Sequence, residues 1–215
     1  MTAARGRFIA FEGGEGTGKS TQARLLAEAL QGRGIAAEIT REPGGTPGAE
    51  AIRSLLLAPP GEGWTREAEA LLFAAARADH VARRIVPALE AGRWVICDRF
   101  IDSSRAYQGG AGGLGDEAIL ALHRFGSAGL RPDLAILLDV DEGQIARRLA
   151  ARDGTESDAI GGRGKDYHRA VATTFRSLAE ADPQGFATVE GEGDPSAVHA
   201  RVLAALAPLL AREND

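Results

Sequence analysis

A single cysteine, only two lysines and an aromatic content of 5% set the first limits on this chain of 215 residues. Cys97 has no partner for an intrachain disulfide, so nothing in the sequence asks for an oxidising compartment. No stretch reaches the apolar length of a membrane span, and the first residues carry no apolar signal segment. These absences predict a cytoplasmic protein without membrane partners. Positive charge is not in surplus either. Against 30 Asp and Glu stand 25 Lys and Arg, a formal charge of -5, which argues against a protein that coats nucleic acid or a membrane surface. Anionic ligands must then be met locally. The four histidines, His80, His123, His168 and His199, lie scattered without ligand spacing and are read as solvated or helix-surface residues with no metal role.

What is present describes a globular chain: 44% hydrophobic and 26% charged residues, with a length that fits one domain spanning residues 1–215. Apolar runs of strand length at 8–11, 35–39, 94–97, 134–140 and 186–189 alternate with helical patterns. Those patterns cover 21–31, 47–57, 66–90, 116–128, 144–152, 167–181 and 195–211. Strands separated by helices predict an α/β fold, a five-stranded parallel sheet with helices on both faces. Pro87 is expected to bend or end the last turn of its helix. Two glycine-rich segments, 109–115 and 153–164, are expected to be mobile, and the second has the length and composition of an active-site lid.

Residues 13–20 read Gly13-Gly14-Glu15-Gly16-Thr17-Gly18-Lys19-Ser20, between the first apolar run and the helical pattern Ala23, Leu26, Ala27, Leu30. This is G-x-x-x-x-G-K-S/T in its required strand–loop–helix setting, a cradle for nucleotide phosphates. Glycines let the backbone turn its N–H groups inward, and the following helix start adds its positive end. In such a loop Lys19 reaches the β- and γ-phosphates and the Ser20 hydroxyl ligates Mg²⁺. Lys19 and Lys165 are the only lysines among 25 basic residues, so a lysine at the position the motif demands is not a product of composition.

In an open parallel sheet, ligands lie beyond the carboxyl ends of the strands. After the second run comes Thr40-Arg41-Glu42-Pro43-Gly44-Gly45-Thr46, and the third ends in Asp98-Arg99, followed by Phe100 to Gln108. Asp98 stands where a carboxylate reaches Mg²⁺ or its waters, and Asp139, at the end of the fourth run, competes for that role. Arg99 favours Asp98, since a guanidinium beside the metal carboxylate can grip a second phosphate.

Phe11-Glu12-Gly13 entering the phosphate loop, Arg41-Glu42-Pro43-Gly44-Gly45-Thr46, Asp98-Arg99 with Ala106-Tyr107-Gln108-Gly109, and Arg131-Pro132-Asp133-Leu134 leading to Leu138-Asp139-Val140 occur in order along nearly the whole chain. Together they resemble the bacterial thymidylate kinase family. The resemblance implies a P-loop NTPase three-layer fold with a mobile lid, transfer of the γ-phosphate of ATP to dTMP, Mg²⁺ as cofactor, and a homodimer. It implies an ATP site of Gly13, Gly14, Glu15, Gly16, Thr17, Gly18, Lys19, Ser20 and Thr21. For dTMP it implies Glu42, Pro43, Arg53, Phe73, Arg77, Arg99, Ser104, Tyr107 and Gln108. Within that set Phe73 stacks on thymine, although spacing alone reads it as core. Arg77, one turn later, bonds a base carbonyl, and Ser104 and Gln108 meet the base edge. Arg53 and Arg99 hold the dTMP phosphate, Tyr107 crowds the sugar 2′ position and Glu15 faces the 3′-hydroxyl.

One segment departs from the pattern. Where similar enzymes carry a lid resembling Asp-Arg-Ile-Glu, this chain has Asp158-Ala159-Ile160-Gly161, so the lid arginine is absent. Arg152 is expected to be the main transition-state contact and Arg163 a partial substitute. Arg147 and Arg148 are read either as further lid cations or as solvated helix residues. The implied catalytic set is Lys19, Glu15, Asp98, Arg99 and Arg152. Rival readings are another nucleoside monophosphate kinase, of uridylate or adenylate type, and a P-loop GTPase switch. The second lacks support, since no Asn-Lys-x-Asp guanine-reading motif occurs in the chain.

Overall fold

Every residue of β1 (Phe8–Glu12) is buried, as a central strand covered on both faces requires, and this explains its unbroken apolar run. The computed structural model describes residues 5–150 and 159–211. After β1 come α1 (Lys19–Gln31), β2 (Ala37–Arg41), α2 (Pro47–Leu57) and α3 (Arg66–His80). A π-helical turn (Val81–Ile85) joins α3 to α4 (Val86–Glu90), and β3 (Trp94–Asp98) follows. Next are α5 (Ile101–Ser104), a second π-helical segment (Arg105–Ala111), α6 (Asp116–Ser127) and β4 (Leu134–Asp139). The chain continues through α7 (Glu142–Ala150), α8 (Lys165–Ala181), β5 (Phe186–Glu190) and α9 (Pro195–Ala211). The sheet is parallel with strand order β2-β3-β1-β4-β5.

Strand side chains alternate between faces, and the sheet sorts them accordingly. Ile9 and Phe11 of β1, with Ile96 and Ile136 from its neighbours, pack against Leu26 and Leu30 of α1 and Val202 and Leu206 of α9. Phe8 and Ala10 face the other way, toward Ile85, Leu89 and Ile101. Beside them, Ala135 and Leu137 of β4 pack with Val171 and Phe175 of α8. Each such fully buried aliphatic or aromatic side chain contributes about 1.5–3 kcal/mol.

Two expectations change in the structure. Pro87 does not end its helix, which runs on to Glu90: the preceding residues widen into a π-turn, with Val86 N donating to Val81 O, which absorbs the ring and the missing N–H. Segment 109–115, expected to be mobile, is tied down by Gly112 N to Tyr107 O at 2.8 Å and Gly115 N to Gly109 O at 2.9 Å. Gly112 serves close packing there, since a side chain on it would meet the Gln108 carbonyl at 2.6 Å. Arg152 and lid residues 153–158 lie outside the described residues. Among the described residues, no helix is long and apolar enough to cross a membrane.

Candidate active site

The parallel register sets the carboxyl ends of β1, β2 and β3 side by side, with Phe11 opposite Asp98 and Arg41 opposite Asp98 on the other side. Backbone bonds extend this alignment past the sheet: Glu42 N donates to Asp98 O at 3.0 Å and Arg99 N to Phe11 O at 2.9 Å. Three loops thus leave the sheet from one point, beside the position where strand order reverses.

The first is the phosphate loop. Gly13 has φ 131°, and a Cβ there would stand 2.8 Å from Leu138 O, so only glycine fits. Lys19 begins α1 and folds back over the loop, donating to Gly13 O at 3.2 Å and to Gly14 O at 2.5 Å. Burial, helped by the Arg99 charge, pulls its ammonium down to about 7 against the pull of Asp98, Glu12 and Glu15. The next residue, Ser20, donates its hydroxyl to Asp98 Oδ2 at 2.5 Å. A hydroxyl and a carboxylate side by side are the hard oxygen donors Mg²⁺ takes, alongside nucleotide phosphates and water. Asp139, the competing carboxylate, is instead paired with Arg176 at 2.8 Å.

Arg99 turns at φ 71°, a left-handed conformation that costs an arginine about 1–2 kcal/mol. The turn swings its guanidinium to Gly13 O at 2.9 Å and Ser103 Oγ at 3.2 Å, and over the Tyr107 ring with 5.1 Å to the centroid. Glu12 holds the turn. Its buried carboxylate accepts from Phe100 N at 2.9 Å and from Ser103 Oγ at 2.6 Å. Burial and the nearby Asp102 push Glu12 up to about 8, against the bonds from Ser103 and Phe100 and the charge of Arg99.

Beyond Arg99 opens a cleft lined by Glu15, Glu42, Pro43, Arg53, Phe73, Arg77, Arg99, Ser104, Tyr107 and Gln108, every one of them expected at the site, together with Leu57, Phe100, Ser103 and Ile160. Ser104, Tyr107 and Gln108 stand at helical spacing, i, i+3 and i+4, and so reach one wall of the cleft from the segment that widens into a π-helix at Arg105–Ala111. Arg77 is fixed by Glu42 Oε2 at 2.7 Å and Ser104 Oγ at 2.8 Å, and Arg53 donates to Pro43 O at 2.8 Å, across the cis Glu42–Pro43 peptide. Tyr107 is 5% exposed, and its hydroxyl finds no hydrogen-bond partner among the described residues. The lid edge closes over this half: Ala159 N donates to Leu57 O at 3.3 Å, and Gly161 lies so close to Glu15 that a Cβ would meet Oε2 at 2.6 Å.

Several side chains depart from expectation. His80 is fully buried, not solvated, and bridges Glu42 Oε1 at 3.0 Å to Thr40 Oγ1 at 2.7 Å. His123 is buried as well, contacts Leu130 O at 2.7 Å, and is pushed by that burial down to about 4. Arg163 does not reach the phosphate loop: it pairs with Glu69 and stacks on Tyr167. Arg148 is no solvated helix residue, since its guanidinium donates to Thr17 O at 3.2 Å and Gly191 O at 2.8 Å, whereas Arg147 is exposed. Glu69 and His80 are site residues the motifs did not reveal, and Glu12, quoted within Phe11-Glu12-Gly13, was given no role there. A signal existed for Glu69 and His80: Glu69, Phe73, Arg77 and His80 follow one another at helical spacing on one face of α3.

A phosphate loop, a strand-tip hydroxyl–carboxylate pair and an arginine-rich cleft at the switch point of a parallel sheet define a P-loop phosphotransferase of the nucleotide kinase type. Residues 11–202 match the family model for thymidylate kinase. A thymidylate kinase of Rhizorhabdus wittichii is 57% identical over 95% of this chain and 99% of that protein. One from Nitrobacter winogradskyi is 49% identical over 94% and 88%. The crystal structure of thymidylate kinase from Ehrlichia chaffeensis superposes with a TM-score of 0.74 at 31% identity, covering 94% of this chain and 99% of that one. The chain belongs to the thymidylate kinase family.

Proposed function

We infer that the protein transfers the γ-phosphate of ATP to dTMP, giving dTDP and ADP. The observation that carries this reading is one cleft walled by Glu15 of the phosphate loop at one end and by Phe73, Arg77, Ser104 and Gln108 at the other. Donor and acceptor sites are thereby adjacent. In our reading Gly13 to Thr21 cradle ATP, with Lys19 on its β- and γ-phosphates. Phe73 stacks on thymine and Arg77 meets a base carbonyl. Ser104 and Gln108 meet the base edge, and Arg53 and Arg99 grip the dTMP phosphate beside Pro43. Tyr107 fills the space at the sugar 2′ position and Glu15 faces the 3′-hydroxyl.

The nucleophile needs no side-chain base, because a phosphomonoester loses its second proton at about pH 6. An oxygen of the dTMP phosphate attacks the γ-phosphorus, the bond to the β-phosphate oxygen breaks, and ADP leaves with that electron pair. Alignment and charge neutralisation by Lys19 and Arg99 supply the catalysis. Ser20 and Asp98 are the residues to hold Mg²⁺, which when bound offsets charge on the β- and γ-phosphates. In our reading the enzyme is a cytoplasmic homodimer, and Phe125 on α6, 95% exposed, and Leu71 on α3, 55% exposed, are the apolar surface positions at which to test the pairing. A coupled assay offering ATP or GTP with dTMP, UMP, AMP and GMP tests the reading. ATP with dTMP is expected to give the highest kcat/KM, and preference for UMP or AMP would overturn it.

A further inference from the structure

Gln108 is buried in the cleft wall, and its side-chain Nε2 donates to Glu69 Oε1 at 2.9 Å. An ionised carboxylate only accepts, so this bond decides which end of the amide faces which way. The nitrogen goes to α3. The carbonyl oxygen makes no hydrogen bond to a described residue, which leaves it as the end of the amide free for a ligand in the cleft that Gln108 lines with Phe73 and Arg77. Glu69 is itself held: its other oxygen pairs with Arg163 at the lid edge. The Arg163 guanidinium lies 4.7 Å over the Tyr167 ring, and Tyr167 Oη donates to Tyr107 O at 2.8 Å. The lid edge, Glu69 and the Gln108 amide therefore form one connected chain.

We propose that Glu69, clamped by Arg163, is a positioning residue that fixes the Gln108 amide with its oxygen toward the base and so selects thymine over cytosine. Thymine offers an N3–H between two carbonyls and can donate to that oxygen. Cytosine presents a bare N3 lone pair on the same edge, and two acceptors facing each other in a buried site leave both unsatisfied. An amide free to rotate would serve either base. The inference rests on the reading of this cleft as the base site.

The test compares kcat/KM for dTMP and dCMP in wild type, Glu69→Gln, Gln108→Met and the double variant. A glutamine at 69 can donate as well as accept, so it releases the Gln108 amide. Glu69→Gln is expected to lower the dTMP-to-dCMP ratio at least about tenfold with KM for ATP unchanged. In the Gln108→Met background the same change should have no further effect on the ratio. A ratio within about twofold of wild type, or an equal further loss in the double variant, overturns the proposal. Should Glu69→Gln fail to fold, NMR of the wild-type Gln108 side-chain NH₂, assigned by its loss in Gln108→Met, decides. NH₂ protons protected from solvent exchange both without and with dTMP support the orientation, and protons that become protected only on dTMP addition overturn it. Phe73→Ala separates the underlying reading. It should weaken dTMP binding by about 10-fold or more by loss of the base stack, and unchanged affinity would displace the base site itself.

Discussion

Arg77 and Glu42 form a buried ion pair, Nε to Oε2 at 2.7 Å, and the second oxygen of the same carboxylate meets His80. The pair joins α3 to the loop after β2, so the cleft wall and the loop carrying Pro43 move as one. Removing one partner of such a pair strands the other charge in a dry site, which costs about 3–5 kcal/mol. Glu42→Ala is therefore expected to lower Tm by roughly 10 °C and to weaken dTMP binding through a misplaced Arg77. Thermal unfolding followed by circular dichroism measures the first effect, and a wild-type Tm would show that the pair is not supporting the wall.

Glu12 makes stability depend on pH. Its folded value of about 8 lies above the ordinary 4.5, so the folded protein binds more protons than the unfolded chain between those values. The contribution is complete below the unfolded value and is lost as pH rises through the folded one. Relative to Glu12→Gln, the wild-type Tm should fall between about pH 5 and about pH 8.5, by ~2–4 °C for each kcal/mol lost. Parallel Tm profiles for the two proteins would refute this.

Lys19→Ala should leave the fold intact, because among the described residues the side chain bonds only loop acceptors, Gly13 O, Gly14 O and Thr17 Oγ1. On the proposed role its ammonium would meet the phosphates where charge shifts during transfer, so kcat is expected to drop by ~10²–10³ or more. Turnover close to wild type at saturating MgATP would remove Lys19 from the transferring phosphates.

The lid arginines should separate kinetically. Arg163 is committed to Glu69 and Tyr167 on the base side of the cleft, so Arg163→Ala is expected to raise KM for dTMP more than it lowers kcat. Arg152→Ala should do the opposite, lowering kcat with little change in either KM. Steady-state kinetics of both variants check the pair, and two near-normal kcat values would show that neither arginine acts at the transferring phosphate.

The phosphate loop is legible in the amino-acid sequence because its requirements are local: glycines that permit inward-turning N–H groups, then lysine and serine opening a helix. The strands are legible too, since a sheet covered on both faces demands unbroken apolar runs such as Phe8–Phe11 and Trp94–Cys97. Family resemblance supplies the residues expected for dTMP, and one cleft is lined by all of them. The supports of that cleft are not legible. Glu12 bonds Ser103 from 91 positions away, Arg163 pairs with Glu69 across 94, and Thr40 meets His80 across 40.

Composition and pattern alone thus determined the class of fold, the phosphate cradle and the absence of a basic surplus, because backbone geometry and hydrophobic periodicity act over a few neighbouring residues. Only the folded chain decided that Arg99 would adopt a left-handed turn, that His80 and His123 would be buried, and that Gln108 would give its amide nitrogen to Glu69. Each depends on which distant side chain the sheet order brings alongside, and on which protonation and hydrogen bonds that neighbour imposes once water is excluded.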